Sequence, residues 1–270
     1  NLLWPYHSLS NSTDIVGPVM CLYILNLSPR KLVELIKENK QMGGKMDLNF
    51  TEEQELLRKT AQEFVRKECP RELIRELDET EQYPEELHAK MAKIGWLGVC
   101  IDEKYGGSGG DFLDICILLD ELAKGTLAGA NILFRNAVNA GFAIQRSGTE
   151  EQKQAFLPSL VQGKMKFAFS LTEPGAGSDA AAIITSAVKK DGGYVINGDK
   201  VFCSGAEVAD YIRVVCRTAK TAHKHEGITI FFVDTKSPGI TMRRVKKIVN
   251  NSLTTSQMWY DNVWIPKKNM

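Results

Sequence analysis

The sequence predicts an α+β protein in which a helical domain is followed by an antiparallel β-domain. Apolar residues recur at helical spacing between positions 51 and 158, whereas β-branched and aromatic runs separated by glycine and proline turns follow Gly163. Because the helices precede the strands instead of alternating with them, we expect two domains rather than a doubly wound fold. With 270 residues and 43% hydrophobic content, the chain can bury one or two substantial cores.

Start signals divide the helical region into elements. Capping boxes are present at residues 51–54 and 149–152, and Pro84 opens a further helix. The segment from Phe112 to Leu122 is apolar almost all round, which predicts a helix buried inside a bundle. A longer helix is expected from Asn131 to Gln145, where alanine and glycine allow neighbours to approach closely.

Strand signals fill the second half of the chain. The run from Tyr194 to Phe202 places Asn197-Gly198 between two β-rich segments, which predicts a β-hairpin. Turns at Asp191-Gly-Gly193 and Ser237-Pro-Gly239 separate other runs. Further strands are expected at residues 211–216, 228–233, 240–245 and 257–265.

Composition argues against several classes of function. Lysine and arginine number 34 against 33 acidic residues, so the charge balance does not indicate nucleic acid or an anionic membrane as a partner. The 6 cysteines are scattered, without a C-x-x-C pair, and most lie in apolar runs. This pattern is typical of reduced, buried thiols in an intracellular protein, so neither a disulfide framework nor a metal site is expected. The expected location is cytoplasmic, or the mitochondrial matrix in a eukaryote.

Residues 1–45 look unlike the remainder of the chain. The sequence starts with Asn1, and Met46 opens a helical pattern of its own. The apolar stretch Ile15–Leu27 is too short to span a bilayer and lacks the marks of a signal peptide. We therefore expect an upstream extension that need not be native, with a small docking segment as the alternative. The predicted domains are residues 46–163, helical, and 164–270, built from strands.

The most informative segment runs from Phe167 to Asp179. It reads as a strand of alternating apolar residues that breaks into the turn Glu173–Asp179. Glycine lets the backbone approach a ligand closely, and successive N–H groups in such a turn form an anion-binding concavity. Hydroxyl groups at Thr172 and Ser178 flank the bend. The pattern indicates a site for a phosphate-bearing cofactor, with a plain turn between two domains as the alternative.

Two other motifs are better explained by a structural role than by catalysis or metal binding. Gly106-Gly-Ser-Gly-Gly110 matches the G-x-S-x-G nucleophile elbow of hydrolases, but the histidines downstream of it, His223 and His225, lie in a polar loop, so a flexible turn is favoured. The same histidines lack a partner at metal-ligand spacing, which favours a solvated loop.

His88 is predicted to lie on the exposed face of its helix. The basic cluster Arg243–Lys247 is predicted to be an exposed strand face, with phosphate contact as the alternative.

Taken in order, these motifs resemble those of the acyl-CoA dehydrogenase family of flavoproteins, from Met46 to the last residue. The run T-E-P-G-A-G-S-D at positions 172–179 is the signature of that family. Further matches in order are Tyr105–Gly109, Gly148–Lys153 with Leu157-Pro158, Ile196–Lys200, Phe232–Asp234 with Pro238-Gly239, and Asp261–Val263 with Pro266.

The resemblance implies an N-terminal helical domain, a middle β-domain and a C-terminal four-helix bundle, with FAD between the last two. By position, Phe169, Leu171 and Thr172 would contact the isoalloxazine ring. Gly177 and Ser178 would meet the pyrophosphate, and Ser178 would also lie near the CoA part of the substrate. The segment Phe202-Cys203-Ser204 would flank the flavin, where many relatives carry Trp-Ile-Thr. An aromatic wall and a hydroxyl are retained, so flavin binding is expected.

The implied reaction is α,β-dehydrogenation of an acyl-CoA thioester. A glutamate removes the α-proton while the β-hydrogen leaves as hydride to the flavin. The chain stops at Pro266–Met270, where relatives enter the bundle that carries this glutamate, so the bundle is expected to be absent and no catalytic residue is assigned. We expect such a fragment to bind FAD weakly and to turn over no substrate. A second departure is Ile248–Asn251, where relatives usually have Leu-Gly.

The resemblance also implies partners and leaves alternatives. The implied partners are an acyl-CoA substrate, an electron-transfer flavoprotein and, for a full-length chain, further copies of itself. One alternative is an enoyl-CoA reductase on the same scaffold. Arg135 gives it slight support, because this residue interrupts an Ala/Gly-rich helix and either snorkels to solvent or faces a polar acyl group. The other alternative is a non-catalytic partner or scaffold subunit.

Overall fold

The computed structural model describes residues 49–270, so the predicted extension at 1–45 lies outside the described residues. A compact unit extends from Gln54 to Met270. Within the described part of the chain, no helix is long and apolar enough to cross a membrane.

Helices occupy the first half of the described residues. They are α1 (Glu52–Glu68), α2 (Arg71–Glu79), α3 (Glu85–Lys93), α4 (Phe112–Gly125), α5 (Leu127–Leu133), α6 (Ala143–Ser147) and α7 (Glu150–Val161). The predicted capping box before α7 is present, because the Thr149 side chain accepts from the Gln152 N–H and the Gln152 side chain accepts from the Thr149 N–H. An unpredicted capping box joins Asp111 and Asp114 at the start of α4.

The helix expected from Asn131 to Gln145 is not a continuous α-helix. A π-helical segment, Phe134–Phe142, lies between α5 and α6. Such wide turns are rare and occur frequently at functional sites. The close packing expected from the small residues is present, since a Cβ added to Gly141 would lie 2.9 Å from the Ile101 Cδ1. Arg135 and Asn139 both belong to this π-segment.

One seven-stranded sheet forms the second half. Its strands are β1 (Phe167–Ser170), β2 (Ser186–Lys190), β3 (Gly193–Ser204), β4 (Tyr211–Arg217), β5 (Ile228–Asp234), β6 (Ile240–Arg244) and β7 (Thr255–Pro266). The order is β1-β4-β2-β3-β7-β6, and β5 pairs with β4. Strand β1 runs parallel to β4, whereas β3 is antiparallel to both β2 and β7. Helices followed by a largely antiparallel sheet confirm the predicted fold class.

The hairpin predicted at Asn197-Gly198 is wrong. Both residues lie inside the continuous strand β3, where Gly198 has φ 147° and the ladder to β7 shifts register. The Asn197 side chain is used across the ladder, where its Oδ1 accepts from the Asn262 N–H at 2.9 Å. The turn predicted at Asp191-Gly-Gly193 is present and joins β2 to β3, where Asp191 and Gly192 both have positive φ values, 50° and 76°. Pairing with β7 therefore outweighs the local turn preference.

An aromatic cluster joins the helices to the sheet. Phe156 of α7 packs edge-on against Phe167 of β1 and Tyr211 of β4, with ring centroids 5.6 and 5.2 Å apart, and Phe232 of β5 completes the group. Buried aromatic side chains contribute strongly to a core, and edge-on pairs add to that contribution. The first residue of β1 is thereby fixed against the helical region.

The prediction that His88 lies on an exposed helix face is wrong. Its side chain is only 1% exposed, and its Nδ1 lies 2.9 Å from the Tyr83 hydroxyl oxygen. Burial, followed by the positive charges of Lys166 and Arg135, lowers the pKa of His88 to about 4. The imidazole is therefore neutral near pH 7. The helix pattern missed this because Tyr83 and the chain near Gly163, both outside the helix, cover that face.

Candidate functional site

The segment after β1 forms a tight turn. The Glu173 N–H donates to the Ala176 carbonyl at 3.0 Å, and the Ala176 N–H donates back to the Glu173 carbonyl at 3.1 Å. Pro174 and Gly175 form the tip of this turn. Gly177 is exposed, and nothing lies within 4 Å of the position that its Cβ would take. The backbone here is open to close approach by a ligand.

A buried ion pair holds the turn in place. The Glu173 carboxylate accepts from the Lys200 Nζ at 2.8 Å and from the backbone N–H groups of Ile184 and Thr185 at 2.7 and 2.9 Å. Lys200 also donates to the Leu171 carbonyl at 2.8 Å. The two charged side chains are 0% and 3% exposed. Because Lys200 belongs to β3, this pair ties the turn to the middle of the sheet.

Hydrogen bonding keeps Glu173 ionised. Burial raises the pKa of its carboxyl, but the hydrogen bonds from Ile184, Lys200 and Thr185 outweigh burial and hold the pKa below its usual range. The contacts of this carboxylate are with Lys200 of β3 and with the backbone of Ile184 and Thr185, just before β2. Glu173 therefore acts as an anchor of the turn and is not placed as a general base.

The turn and β3 meet directly beside Phe202. The Val201 N–H donates to the Thr172 carbonyl at 2.8 Å, which brings the next residue, Phe202, alongside the turn. Phe202 has φ 59° and its side chain is 63% exposed. A bulky residue in the left-handed region is strained, and such strain is concentrated at ligand sites. The exposed ring beside an open turn is therefore available to a ligand.

The neighbours of Phe202 differ in their surroundings. Ser204 is half-buried, and its Oγ lies 2.9 Å from the Thr255 Oγ1 on β7. Cys203 is 0% exposed in the interior of the sheet, where burial raises the pKa of its thiol to about 11. Because the Cys203 thiol is buried while the Phe202 ring is exposed, the two side chains lie on different sides of the strand. Any contact of Cys203 with a cofactor would come from its main chain.

The remaining predicted residues lie on β1 and the turn. Phe169 and Leu171 are half-buried and pack with Ala176 and Val215. In the described part of the chain, neither the Thr172 hydroxyl nor the Ser178 hydroxyl has a hydrogen-bond partner. The structure thus joins Thr172 to the strand segment of Phe202 and leaves two hydroxyls unused.

Arg135, together with two residues to which the sequence assigned no role, Lys200 and Arg213, completes the surroundings. Lys200 anchors the turn, and the Arg213 guanidinium lies 5.1 Å from the centre of the Phe169 ring. Arg135 does not snorkel, since it is 7% exposed and its Nη2 donates to the Phe167 carbonyl at 2.7 Å. The alternation of β4 would have placed Arg213 on the same side as Val215, but nothing in the sequence showed that helical residues cover this side.

The other motifs are structural. A Cβ on Gly107 would lie 2.0 Å from the Ile101 carbonyl oxygen, so the 106–110 turn needs glycine for packing. Among residues 49–270, no group of three His, Cys, Asp or Glu side chains could hold a metal ion. In the basic cluster, Arg244 pairs with Glu81 and Glu207, and Lys247 donates to backbone carbonyls of the loop before β7.

Comparison with known proteins identifies the family. Residues 51–164 match the family model described as acyl-CoA dehydrogenase, N-terminal domain, and residues 168–263 match acyl-CoA dehydrogenase, middle domain. The chain belongs to the acyl-CoA dehydrogenase family. The predicted resemblance is thereby confirmed.

Several relatives in this family are similar over most of the chain. A caffeyl-CoA reductase–Etf complex subunit of Acetobacterium woodii is 37% identical over 223 residues, which cover 82% of this chain and 58% of the relative. A short-chain acyl-CoA dehydrogenase of Clostridium acetobutylicum is 36% identical, covering 83% and 59%. The structure of butyryl-CoA dehydrogenase from Megasphaera elsdenii superposes with a TM-score of 0.76 at 34% identity, covering 83% and 60%. The chain thus spans under two thirds of each of these relatives.

The residues present fit a dinucleotide cofactor. Acyl-CoA dehydrogenases are FAD-dependent flavoproteins. The exposed glycine turn offers backbone N–H groups, Thr172 and Ser178 offer hydroxyls without partners, and Phe202 offers an exposed ring. These are the groups that a diphosphate and a flat aromatic ring system require.

Proposed function

We propose that this chain forms part of a flavin-dependent oxidoreductase that dehydrogenates an acyl-CoA thioester between its α- and β-carbons. The observation that carries this proposal is the 172–179 turn, held against the exposed Phe202 by the Glu173–Lys200 pair. Family membership supports it independently. Bound FAD would supply the acceptor for the hydride that leaves the β-carbon.

Each residue of the site has an assigned role in this proposal. Phe169, Leu171, Thr172 and Phe202 line the isoalloxazine ring and exclude water from it, and Ser204 offers a hydroxyl beside it. Gly177 and Ser178 bind the pyrophosphate, and Ser178 also contacts the CoA portion of the substrate. Cys203 contributes through its backbone. The electron acceptor is an electron-transfer flavoprotein, which the Etf complex named for one relative supports.

Within residues 49–270 we assign no catalytic base. Glu173 is fully engaged in the turn, and Asp179 pairs with Lys224 at 2.9 Å on the surface. The 270-residue chain is accordingly expected to bind FAD, and an acyl-CoA is not expected to reduce the bound flavin. Acyl-CoA-dependent bleaching of flavin on this chain would contradict that assignment.

A flavin titration tests the proposal. We expect FAD to bind saturably, with quenched flavin fluorescence, and Phe202→Ala to weaken binding by about tenfold because a stacked aromatic contact is lost. Trp264→Ala is the matched control, since Trp264 is also exposed, at 48%, but lies at the far end of β7. Circular dichroism of each variant verifies the fold. If Phe202→Ala and Trp264→Ala bind FAD with equal affinity, or if saturable FAD binding is absent, the proposed site is rejected.

An enoyl-CoA reductase is the second candidate. The caffeyl-CoA reductase–Etf subunit and an acryloyl-CoA reductase of Anaerotignum propionicum, 35% identical over 239 residues, support it. Both directions use the same flavin contacts, so the titration above does not separate them. Turnover by a protein that also contains a base, assayed with a saturated and with an unsaturated thioester, gives the direction. A flavin-binding chain with neither activity would favour a scaffold subunit.

A further inference from the structure

Two buried arginines lie close together without a carboxylate. Arg135 of the π-segment and Arg213 of β4 are each 7% exposed, and both line one small cavity together with Asn139 and Phe169. Among the described residues, no acidic side chain forms an ion pair with either guanidinium, and burial alone lowers the pKa of Arg213, to about 10. Both groups are therefore positively charged near pH 7.

The hydrogen bonds of Arg135 are incomplete. Its Nη2 donates to the Phe167 carbonyl at 2.7 Å and more weakly to the Gly205 carbonyl at 3.4 Å. Its Nε and Nη1 are buried and have no partner. Arg213 donates through Nη1 to the Asn139 Oδ1 at 3.1 Å, a neutral acceptor. Buried donors without an acceptor and buried cations without an anion are both unfavourable.

The protein offers no internal anion for these charges. The ionisable groups that act on Arg135 are Tyr83 and Cys203, and burial raises the pKa of both, so both are neutral near pH 7. The cavity between the arginines measures about 10 Å³, which is the space that a single water-sized species needs. It is lined by Arg135, Asn139 and Arg213 together with Ala140, Phe167, Ala168 and Phe169.

We propose that Arg135 and Arg213 form an anion-binding site where the π-segment meets the sheet. The site takes one small anionic atom, either a halide ion or one oxygen of a carboxylate whose remainder lies outside the cavity of about 10 Å³. Such an anion accepts from the unpaired N–H groups of Arg135 and compensates buried positive charge that no carboxylate among the described residues balances. The proposal does not depend on flavin binding.

Bromide soaking of crystals of the 270-residue chain tests the site directly. We expect an anomalous difference peak between the two guanidinium groups. Bromide peaks confined to surface positions would overturn the proposal. Because bromide needs neither FAD nor substrate, failure here leaves the proposed function standing.

Thermal unfolding in solution provides the quantitative test. With sodium methanesulfonate, which has no carboxylate, holding ionic strength constant, sodium bromide is expected to raise Tm saturably. Arg213→Met is expected to weaken the apparent bromide affinity at least about tenfold, since a buried charge partner is lost. Arg146→Met is the matched control, because Arg146 is an exposed arginine in α6. The same bromide dependence in the wild type and Arg213→Met would overturn the proposal.

Acetate and acetamide separate the two sources of anion. Acetate that displaces bromide, with neutral acetamide having no effect, identifies a carboxylate of a ligand as an occupant. Bromide binding that acetate does not affect identifies a halide site. Displacement by acetamide as effective as that by acetate would show that charge is not recognised and would reject the assignment.

Discussion

The two ends of strand β1 handle buried positive charge in opposite ways. At its start, Arg135 donates to the Phe167 carbonyl; just past its end, Lys200 donates to the Leu171 carbonyl. Both cations are buried, and both hold the same short strand. Lys200 has Glu173 at 2.8 Å, whereas Arg135 has no carboxylate among the described residues, and Arg213, which lines the same cavity, has none either.

This difference indicates a structural role for Lys200 and a ligand-binding role for Arg135. A buried cation that is paired with a carboxylate and hydrogen-bonded to the main chain fixes the backbone around it, and here it fixes the turn that carries the proposed pyrophosphate contacts. A buried cation with unpaired N–H donors beside a cavity is neutralised by an anion from outside the chain. The contrast predicts that the two ends of β1 respond differently to substitution.

The largest effect is expected from breaking the paired end. Lys200→Met should reduce the free energy of unfolding by about 3–5 kcal/mol, because Glu173 is left as a buried charge without its partner. Chemical denaturation measures this loss. Lys224→Met is the control: its pair with Asp179 has a similar distance, 2.9 Å, but is exposed, so no measurable loss is expected.

A double variant sharpens this result. Glu173→Gln combined with Lys200→Met removes both charges and should recover part of the stability that either change alone loses. A Lys200→Met protein as stable as Lys224→Met would show that the buried pair does not hold the turn, and the contrast between the two ends of β1 would disappear.

The next largest effect is a dependence of the free energy of unfolding on pH. The contribution of His88 in the helical region is lost at a higher pH than that of Glu173 at the paired end of β1. The pKa of His88 is about 4 in the folded protein against 6.5 as the ordinary value, so the unfolded chain binds the proton first. Its contribution is complete above pH 6.5 and is lost as pH falls to about 4, a loss of roughly 3 kcal/mol. The pKa of Glu173 is also lowered, so its contribution is lost at still more acidic pH, below its ordinary value of 4.5.

Unfolding measured from pH 7 down to about pH 3 checks this order. His88→Asn should flatten the dependence between pH 6.5 and about 4 and leave the more acidic part unchanged. An unchanged slope in His88→Asn would mean that other groups produce the dependence.

The smallest effect is expected at the unpaired end. In halide-free buffer, Arg213→Met should change the free energy of unfolding by no more than about 1 kcal/mol, because it removes an uncompensated buried charge and only one hydrogen bond, to Asn139. Denaturation beside Lys200→Met provides the comparison. A loss as large as that of Lys200→Met would make Arg213 a structural residue and would weaken the case for an anion there.

Local patterns in the sequence predicted the fold class because segregated helix and strand signals do not depend on tertiary context. The cap at Thr149 is equally local, since its two hydrogen bonds join residues three apart. The hairpin at Asn197-Gly198 failed for the opposite reason: the long ladder between β3 and β7 overrides a two-residue turn preference. His88 failed because residues outside its helix cover it.

The candidate site was predictable only in part. The composition of residues 172–179 predicted the glycine turn. The ion pair that anchors this turn joins Glu173 to a lysine 27 residues away in the chain, and sequence periodicity does not predict such a pair. The left-handed backbone of Phe202 and the burial of Cys203 depend on the sheet. The cavity between Arg135 and Arg213 depends on packing of the π-segment against β4, which no motif encodes.

The π-segment that carries Arg135 and Asn139 also affects how this part of the chain can evolve. Each of its wide turns holds about one residue more than an α-helical turn, so the loss of one residue is absorbed when a π-turn tightens to an α-turn. Such a deletion keeps the helices on either side in register and shifts the side chains that the π-turns position. We therefore expect descendants of this gene to tolerate single-residue deletions here in their fold, with the surroundings of Arg135 and Asn139 changing first.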